Sequence, residues 1–274
     1  MNISFVEPRR ELRQYIKSLW VFESAIGMPA SEQSIAAPNG YPKLIIPCEN
    51  SLESVSDGRS QVSRERGLYF VGNRDTSTLI HSSQRQTRFI VIEFHPHGAF
   101  PVFGVPMHET RNLLSDSEAV FGKWGRDVRE TLGNLEGIDK KLHFIQDELA
   151  RLLNANERDN SLVTFCVRTL ELSYGRLPIK ELERRTGFTL RYLDQLFRQH
   201  VGLTPKSLAG IFRFQRFYRK WAQGLSYEVL KEELNDYYFD QAHFSKEFKR
   251  MTGYSPRRFT REVSNEFGRR LAAE

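Results

Sequence analysis

Arg191, Asp194, Gln195 and Arg198 fall at i, i+3, i+4 and i+7, a spacing that sets them along one face of a helix. Their chemistry suits the edges of DNA bases: arginine pairs with guanine, glutamine with adenine, and a carboxylate accepts from the cytosine amino group. On a lone helix such a face is ordinarily a solvated surface. Here it is duplicated. The segment from Phe188 to Pro205 aligns without a gap on the segment from Phe239 to Pro256, 51 residues further on, sharing Phe188/Phe239, Leu193/Phe244, Phe197/Phe248, Arg198/Lys249, Gly202/Gly253, Thr204/Ser255 and Pro205/Pro256. The second copy presents Gln241, Ala242, Ser245, Lys246 and Lys249. Two such helix-turn-helix units side by side can meet successive major grooves, so duplication moves the preferred reading from a solvated face to double-stranded DNA as partner.

The elements that must hold these edges can be read around them. Pro178–Arg185 predicts a supporting helix with Ile179 and Leu182 inward, Gly187 a sharp turn, and Thr189 the N-cap of a helix burying Leu193, Leu196 and Phe197. Thr204-Pro205 then opens a long helix to about Gln223, stopped by Gly224, with Leu208, Ile211, Phe214, Tyr218 and Trp221 as its core stripe. About 18 residues span roughly 27 Å, near one turn of B-DNA. Arg213, Arg216, Arg219 and Lys220 lie elsewhere on that helix. Phosphate contacts are expected among them, from Arg213 and Arg219 in particular, with other stems covering apolar surface. Asp240 caps the second reading helix, which buries Phe244, Phe248 and Met251; Ser255-Pro256 opens a last helix bearing Arg257, Arg258 and Arg261.

Charge supports this division. Residues 1–154 hold 18 Lys+Arg against 19 Asp+Glu, whereas residues 155–274 hold 22 against 15, a net of +7 that favours a polyanion. No basic-then-apolar leader and no apolar run near the ~20 residues of a membrane span is evident, and Cys48 and Cys166 stand in no metal or redox spacing, so a cytoplasmic, nucleoid-associated protein is expected. The first ~105 residues read as short strands at 41–47, 67–72, 76–81 and 86–94, with a polar hairpin or loop at 50–66, favouring a small barrel or sandwich. In the best strand Phe89 and Val91 face one way, and Ile90, Ile92 and Phe94 the other. Leu142, Ile145, Leu149 and Leu152 form one stripe of a helix at 139–153, open either to its own barrel or to a homodimer. Residues 154–160 read as a linker.

Other constellations carry less. Trp20, Phe22, Tyr41 and Phe94 are candidates for an effector pocket, against the commoner reading of strand aromatics as plain core. His95 and His97, with Glu93 and His108 nearby, offer metal-ligand types, but a strand-end turn accounts for them and no metal is expected. No nucleophile–base pair stands at a catalytic spacing, so neither catalysis nor a cofactor is expected.

At residues 161–262 the chain resembles the AraC/XylS family of bacterial transcription regulators, through Gly202-Leu203-Thr204-Pro205-Lys206, Arg213-Phe214-Gln215-Arg216, the run Tyr238 to Lys249, and Gly253-Tyr254-Ser255-Pro256. The front half more loosely resembles the effector domain of a subgroup, through the Trp20 strand, the Pro38-Asn39-Gly40 turn before Leu44-Ile45-Ile46, and the run from Phe94 to Gly104. The resemblance implies an α+β protein: a small β-barrel or cupin-like domain with flanking helices at 1–154, and an all-α domain of two helix-turn-helix units joined by a long helix at 161–274. It implies a sequence-specific, effector-responsive regulator, base contacts from Arg191, Asp194, Gln195, Gln241, Ala242 and Lys246, and an unidentified small-molecule effector, with a second copy and RNA polymerase as further partners. Where the family carries a small alanine at the helix crossings, this chain has Glu183 and Glu233; Glu232 replaces an aliphatic residue, and Tyr237 the turn glycine. Buried unpaired carboxylates are costly, so the second supporting helix is expected to turn Tyr227, Leu230, Leu234 and Tyr237 inward and leave Glu232 and Glu233 in water. The competing reading is an interaction protein whose altered units no longer read DNA specifically and bind a protein partner.

Overall fold

The fold is that of a computed structural model, which describes residues 1–28, 34–56, 58–82, 86–156, 158–226, 229, 232, 237–238, 240–263 and 265–273. Two antiparallel sheets make the front half. One runs β1 (Asn2–Val6), β2 (Ile16–Ser24), β9 (Thr87–Phe94), β4 (Lys43–Glu49), β7 (Tyr69–Val71) and β10 (Leu114–Asp116) in spatial order; the other runs β3 (Ile35–Ala36), β8 (Thr78–His81), β5 (Leu52–Ser56) and β6 (Arg59–Ser63). The polar stretch 50–66 is the β5–β6 hairpin.

Strand periodicity gives the layers. In β9, Ile90, Ile92 and Phe94 join Leu19, Val21, Leu44, Ile46 and Phe70 in one core, while Phe89 and Val91 join Trp20, Phe22 and Leu52 in another. A central strand buried on both faces needs no polar alternation, which is why 89–94 is almost continuously apolar. The first core is roofed by α1 (Ala99–Phe103), α2 (Ser117–Phe121), α3 (Lys123–Asn134) and α4 (Ile138–Ala155). Leu142, Ile145 and Leu149 of α4 are buried in it, so that stripe closes the protein's own barrel and is not a seam for a second copy.

The back half comprises α5 (Ser161–Leu172), α6 (Ile179–Thr186), α7 (Leu190–His200), α8 (Pro205–Ala222), α9 (Gln241–Thr252), α10 (Pro256–Glu262) and α11 (Glu266–Ala273). The helix at 256–262 is not the last: α11 follows and sends Phe267 back into the sheet-side core, edge-on to Phe22. Helix α8 is the spine. Phe214, Phe217, Tyr218 and Trp221 are buried on it against Phe244, Phe248 and Phe259 of the second unit, and Leu208 and Ile211 join the same core as Leu193 and Phe197 of the first. Among the described residues no helix is long and apolar enough to cross a membrane.

Of the second supporting helix only Val229 and Glu232 are described; both are helical, and Glu232 is exposed. Glu233 and the stripe positions Tyr227, Leu230 and Leu234 lie outside the described residues. Tyr237 packs on the core, with the guanidinium groups of Arg216 and Arg176 5.0 and 5.1 Å from its ring centre. Both guanidinium groups lie within cation–π range of the ring, which helps hold Tyr237 on the core.

Candidate nucleic-acid interface

The two units are built by the same local rules. Thr189 caps α7 by accepting from the Tyr192 amide at 3.3 Å, and Asp240 caps α9 by accepting from the His243 amide at 2.6 Å. Leu193 and Phe197, and in parallel Phe244 and Phe248, lock the inner faces. Gly202 and Gly253 stop the two helices in the left-handed region, at φ +79° and +81°. Glu183 of α6 takes up the crossing: its carboxylate accepts from the Leu190 amide at 3.2 Å, giving the first turn of α7 an extra acceptor.

On the outer face of α7, Arg191, Gln195 and Arg198 are exposed and Asp194 is half-buried. On α9, Gln241, Ala242, Lys246 and Lys249 are exposed and Ser245 is half-buried. Fixed helices therefore present both polar edges to solvent. The first edge has a neighbour: Pro106 and His108, at the 3-10 turn Met107–Thr110, line the same groove as Arg191, Asp194, Gln195, Arg198 and Gln199. Any duplex approaching α7 must pass that turn.

Arg213 of α8 sits elsewhere than the sequence suggests. Arg213 is turned inward, donating to the Gly175 carbonyl at 2.8 Å and pairing with Glu247 of α9 at 3.4 Å, with only 17% of its side chain exposed. It is a brace between the units rather than part of the polar edge. Arg219 is exposed, and its charge acts on the Tyr41 hydroxyl of the front half against the burial that pushes that hydroxyl up.

The front half grips this scaffold. Asn73 donates to the Val201 carbonyl at 2.8 Å, Gln215 to the Pro38 carbonyl at 2.5 Å, and Asn265 pairs with both backbone groups of Ile35. His200, the last residue of α7, has its ring 4.0 Å from that of Phe100 and its Nδ1 2.7 Å from Asn160 Oδ1. Burial pushes His200 down to about 4, Asp159 opposing, and His97 down to about 4, with His95 and Arg168 adding to the effect. Asp75 pairs with Arg111 at 2.8 Å and with Arg250 of α9 at 3.4 Å. Burial would raise the Asp75 carboxyl, but hydrogen bonds from Asn112 and Arg111 and the charges of Arg111 and Arg250 hold it below the usual range.

Between the sheets lies a cavity of about 100 Å³. Trp20 and Tyr41 line it, as do Phe89, Val91, Lys43, Arg74 and, from α11, Phe267 and Leu271. Two candidates are elsewhere. Phe94 points into the opposite core, because it has the parity of Ile90 and Ile92, and Phe22 is packed behind the wall, stacked on Phe89 at 4.6 Å. Helix α11 lies beyond the repeat, and its contribution to the wall is signalled in the sequence by the spacing of Phe267 and Leu271 at i, i+4. Glu93 is engaged with Ser18, Asn39 and Lys43 and so is held away from the His95–His97 pair. No metal-ligand cluster occurs among the described residues.

Residues 182–262 match a family model described as a helix-turn-helix domain, and residues 4–116 one described as a domain of unknown function, DUF6597. No curated protein matches the chain by sequence. Among solved structures, ToxT from Vibrio cholerae is similar at 10% identity and TM-score 0.49, over 89% of this chain and 98% of that one. ToxT from strain SCE256 bound to an unsaturated fatty acid is similar at 12% and 0.48, over 89% and 95%. The EutQ protein of Clostridium difficile is similar at 16% and 0.26, over 34% of this chain and 66% of its own. The back half thus carries a helix-turn-helix domain of the kind that binds DNA, built as two matching units, and a DUF6597 domain stands in front of it.

Proposed function

We propose that this chain is a transcription regulator of the AraC/XylS type, that it reads a specific DNA site with α7 and α9, and that a small molecule held between the sheets of its front half governs the reading. The working division is an effector domain at 1–154 and a DNA-binding domain at 161–274, acting in the cytoplasm at the nucleoid. The observation that carries this is the exposure of equivalent polar edges on two rigid, capped helices braced by α8. Base edges would be met by Arg191, Asp194 and Gln195 on α7 and by Gln241, Ala242 and Lys246 on α9. Arg198, Ser245 and Lys249 would meet phosphate or sugar. The effector reading is supported by a cavity that holds Trp20 and Tyr41 in its wall.

Recovery of bound sequences from a random DNA pool tests it. The expected result is one or two half-sites about a helical turn apart, with preference retained at ~150–200 mM salt. Binding that fades at that salt without sequence choice would refute specific reading. The groove wall at Pro106 and His108 favours a second reading, in which α7 engages a protein partner and α9 alone touches DNA. One half-site, lost on Lys246→Ala and untouched by Arg191→Ala, would select it.

A further inference from the structure

Phe188 and Tyr192 stand at the entry to α7 as a stacked pair, with ring centres 5.0 Å apart and planes 27° from parallel. Each keeps close to half of its surface in water, 44% and 45%. Apolar residues scattered singly over a surface need no explanation, but these two are large, adjacent and already packed on one another. The turn sets their position. Phe188 precedes the N-cap Thr189, and Tyr192 is the third residue of the helix, its amide donating to the Thr189 hydroxyl at 3.3 Å. Leu193 and Phe197 face the core, which leaves Tyr192 in a row with Gln195 and Gln199, at i+3 and i+7, along one flank of the exposed face. The groove that Pro106 and His108 share with α7 includes neither ring, so the front half leaves the pair open.

The side chains beside this ridge identify what it meets. Arg191, Gln195 and Arg198 are exposed on the same helix, Arg191 next to Tyr192 in the chain. The ridge therefore continues a cationic, hydrogen-bonding surface and not an apolar patch. It also lies at the N-terminal end of α7, the end from which a reading helix reaches base edges. Polar side chains there suit guanine, adenine and cytosine; thymine alone adds a methyl group, which takes an apolar contact. Side chains three apart on a helix stand about 5–6 Å from one another, under two base-pair steps of about 3.4 Å. Stacked rings lose little further freedom on contact, because each already holds the other. The second unit differs at this place: 51 residues on, the polar imidazole of His243 stands where Tyr192 does.

We propose that Phe188 and Tyr192 form a thymine reader: their rings pack on the 5-methyl group of a thymine within about two base pairs of the pair met by Gln195. This rests on the reading of α7 as a helix that enters the major groove. The pair gives α7 an apolar specificity that its arginines and glutamine lack, and confines it to one of the two half-sites.

Thymine and deoxyuridine differ only in that methyl group, so replacing one by the other tests the contact directly. The full chain is titrated with the duplex recovered from the random pool, each thymine in turn replaced by deoxyuridine. One thymine, beside the base pair whose choice relaxes in Arg191→Ala, is expected to lose roughly fourfold in affinity on replacement, the worth of one buried methyl group. Tyr192→Ala should bind the two duplexes alike, and Tyr192→Phe, which keeps the ring, should retain the fourfold difference. Both rings lie on the surface, so Tm should move little in either variant. A site with no thymine there, equal affinity for every deoxyuridine duplex, or a methyl preference that survives Phe188→Ala and Tyr192→Ala together would overturn the thymine reader, while a base choice still relaxed by Arg191→Ala keeps α7 in the groove. Binding that neither Arg191→Ala nor Tyr192→Ala alters would overturn both.

Discussion

Gly202 and Gly253 hold matching places in the repeat and the same left-handed backbone, yet their surroundings differ. At Gly253 nothing lies within 4 Å of an added Cβ, so Gly253→Ala carries only the conformational cost, about 1–2 kcal/mol. At Gly202 the same atom would stand 2.7 Å from the Met107 carbonyl oxygen and 3.0 Å from its carbon. Met107 is itself fully buried, so relief must come from parting the 3-10 turn from the end of α7. Beside that contact the Asn73–Val201 hydrogen bond is buried, and orphaning its partners adds about 1–3 kcal/mol. Gly202→Ala should therefore cost about 2–5 kcal/mol.

Thermal unfolding of the full chain resolves the two. Gly253→Ala should lower Tm by roughly 2–8 °C and Gly202→Ala by about twice as much. Limited proteolysis should cut the junction near 154–161 faster in Gly202→Ala alone, because only that change loosens the grip on α7. Equal Tm shifts, or a larger one at Gly253, would refute the idea that the first unit is docked through its stop glycine.

Arg191→Ala should relax the choice of one base pair at about 1–3 kcal/mol, whereas Lys249→Ala should weaken all DNA alike and lower the salt slope by about one; binding to a panel of single-base variants at two salt concentrations separates them. Phe248→Ala, which empties the centre of the second unit, should cost about 3–5 kcal/mol in denaturant unfolding. Buried His97 and His200 sit near 4, below the ordinary 6.5 of an unfolded chain, so the unfolded state binds their protons first. The stability they allow is full above about pH 6.5 and falls as pH drops toward 4, where it levels; Tm against pH should show this, with a shallower fall in His200→Gln.

How much was legible follows from which residues act locally. Thr189, Asp240, Gly202 and the apolar spacing of α7, α8 and α9 work within a few residues of themselves, so the units could be read from their own segments. The parity of Phe89 against Ile90 likewise gave both faces of β9. What depends on distant partners was not legible. Arg213 looks like any surface arginine until Gly175 and Glu247 arrive beside it, and Phe94 reads as a pocket residue until β2 and β4 fix which side of the sheet it shares. Helix α11 is not legible from the repeat, which ends before it, and its place is set by the residue that precedes it, Asn265, bound to Ile35 across 230 positions.

The two helix-turn-helix units share one local design but are held by different means. The first is fixed by backbone: the Val201 carbonyl takes Asn73, Gly202 abuts Met107, and His200 is wedged against Phe100. None of these contacts responds to salt. The second is tied to the front half through Asp75 and Arg250, an ion pair at 3.4 Å whose cationic partner is 42% exposed. Pairs of that kind contribute little, about 0–1 kcal/mol, and are screened. The two units thus differ in how they are tied to the front half: the first by contacts that salt leaves alone, the second by an ion pair that salt screens, so raising salt should free exchange at the Asp75–Arg250 contact before that at Asn73–Val201.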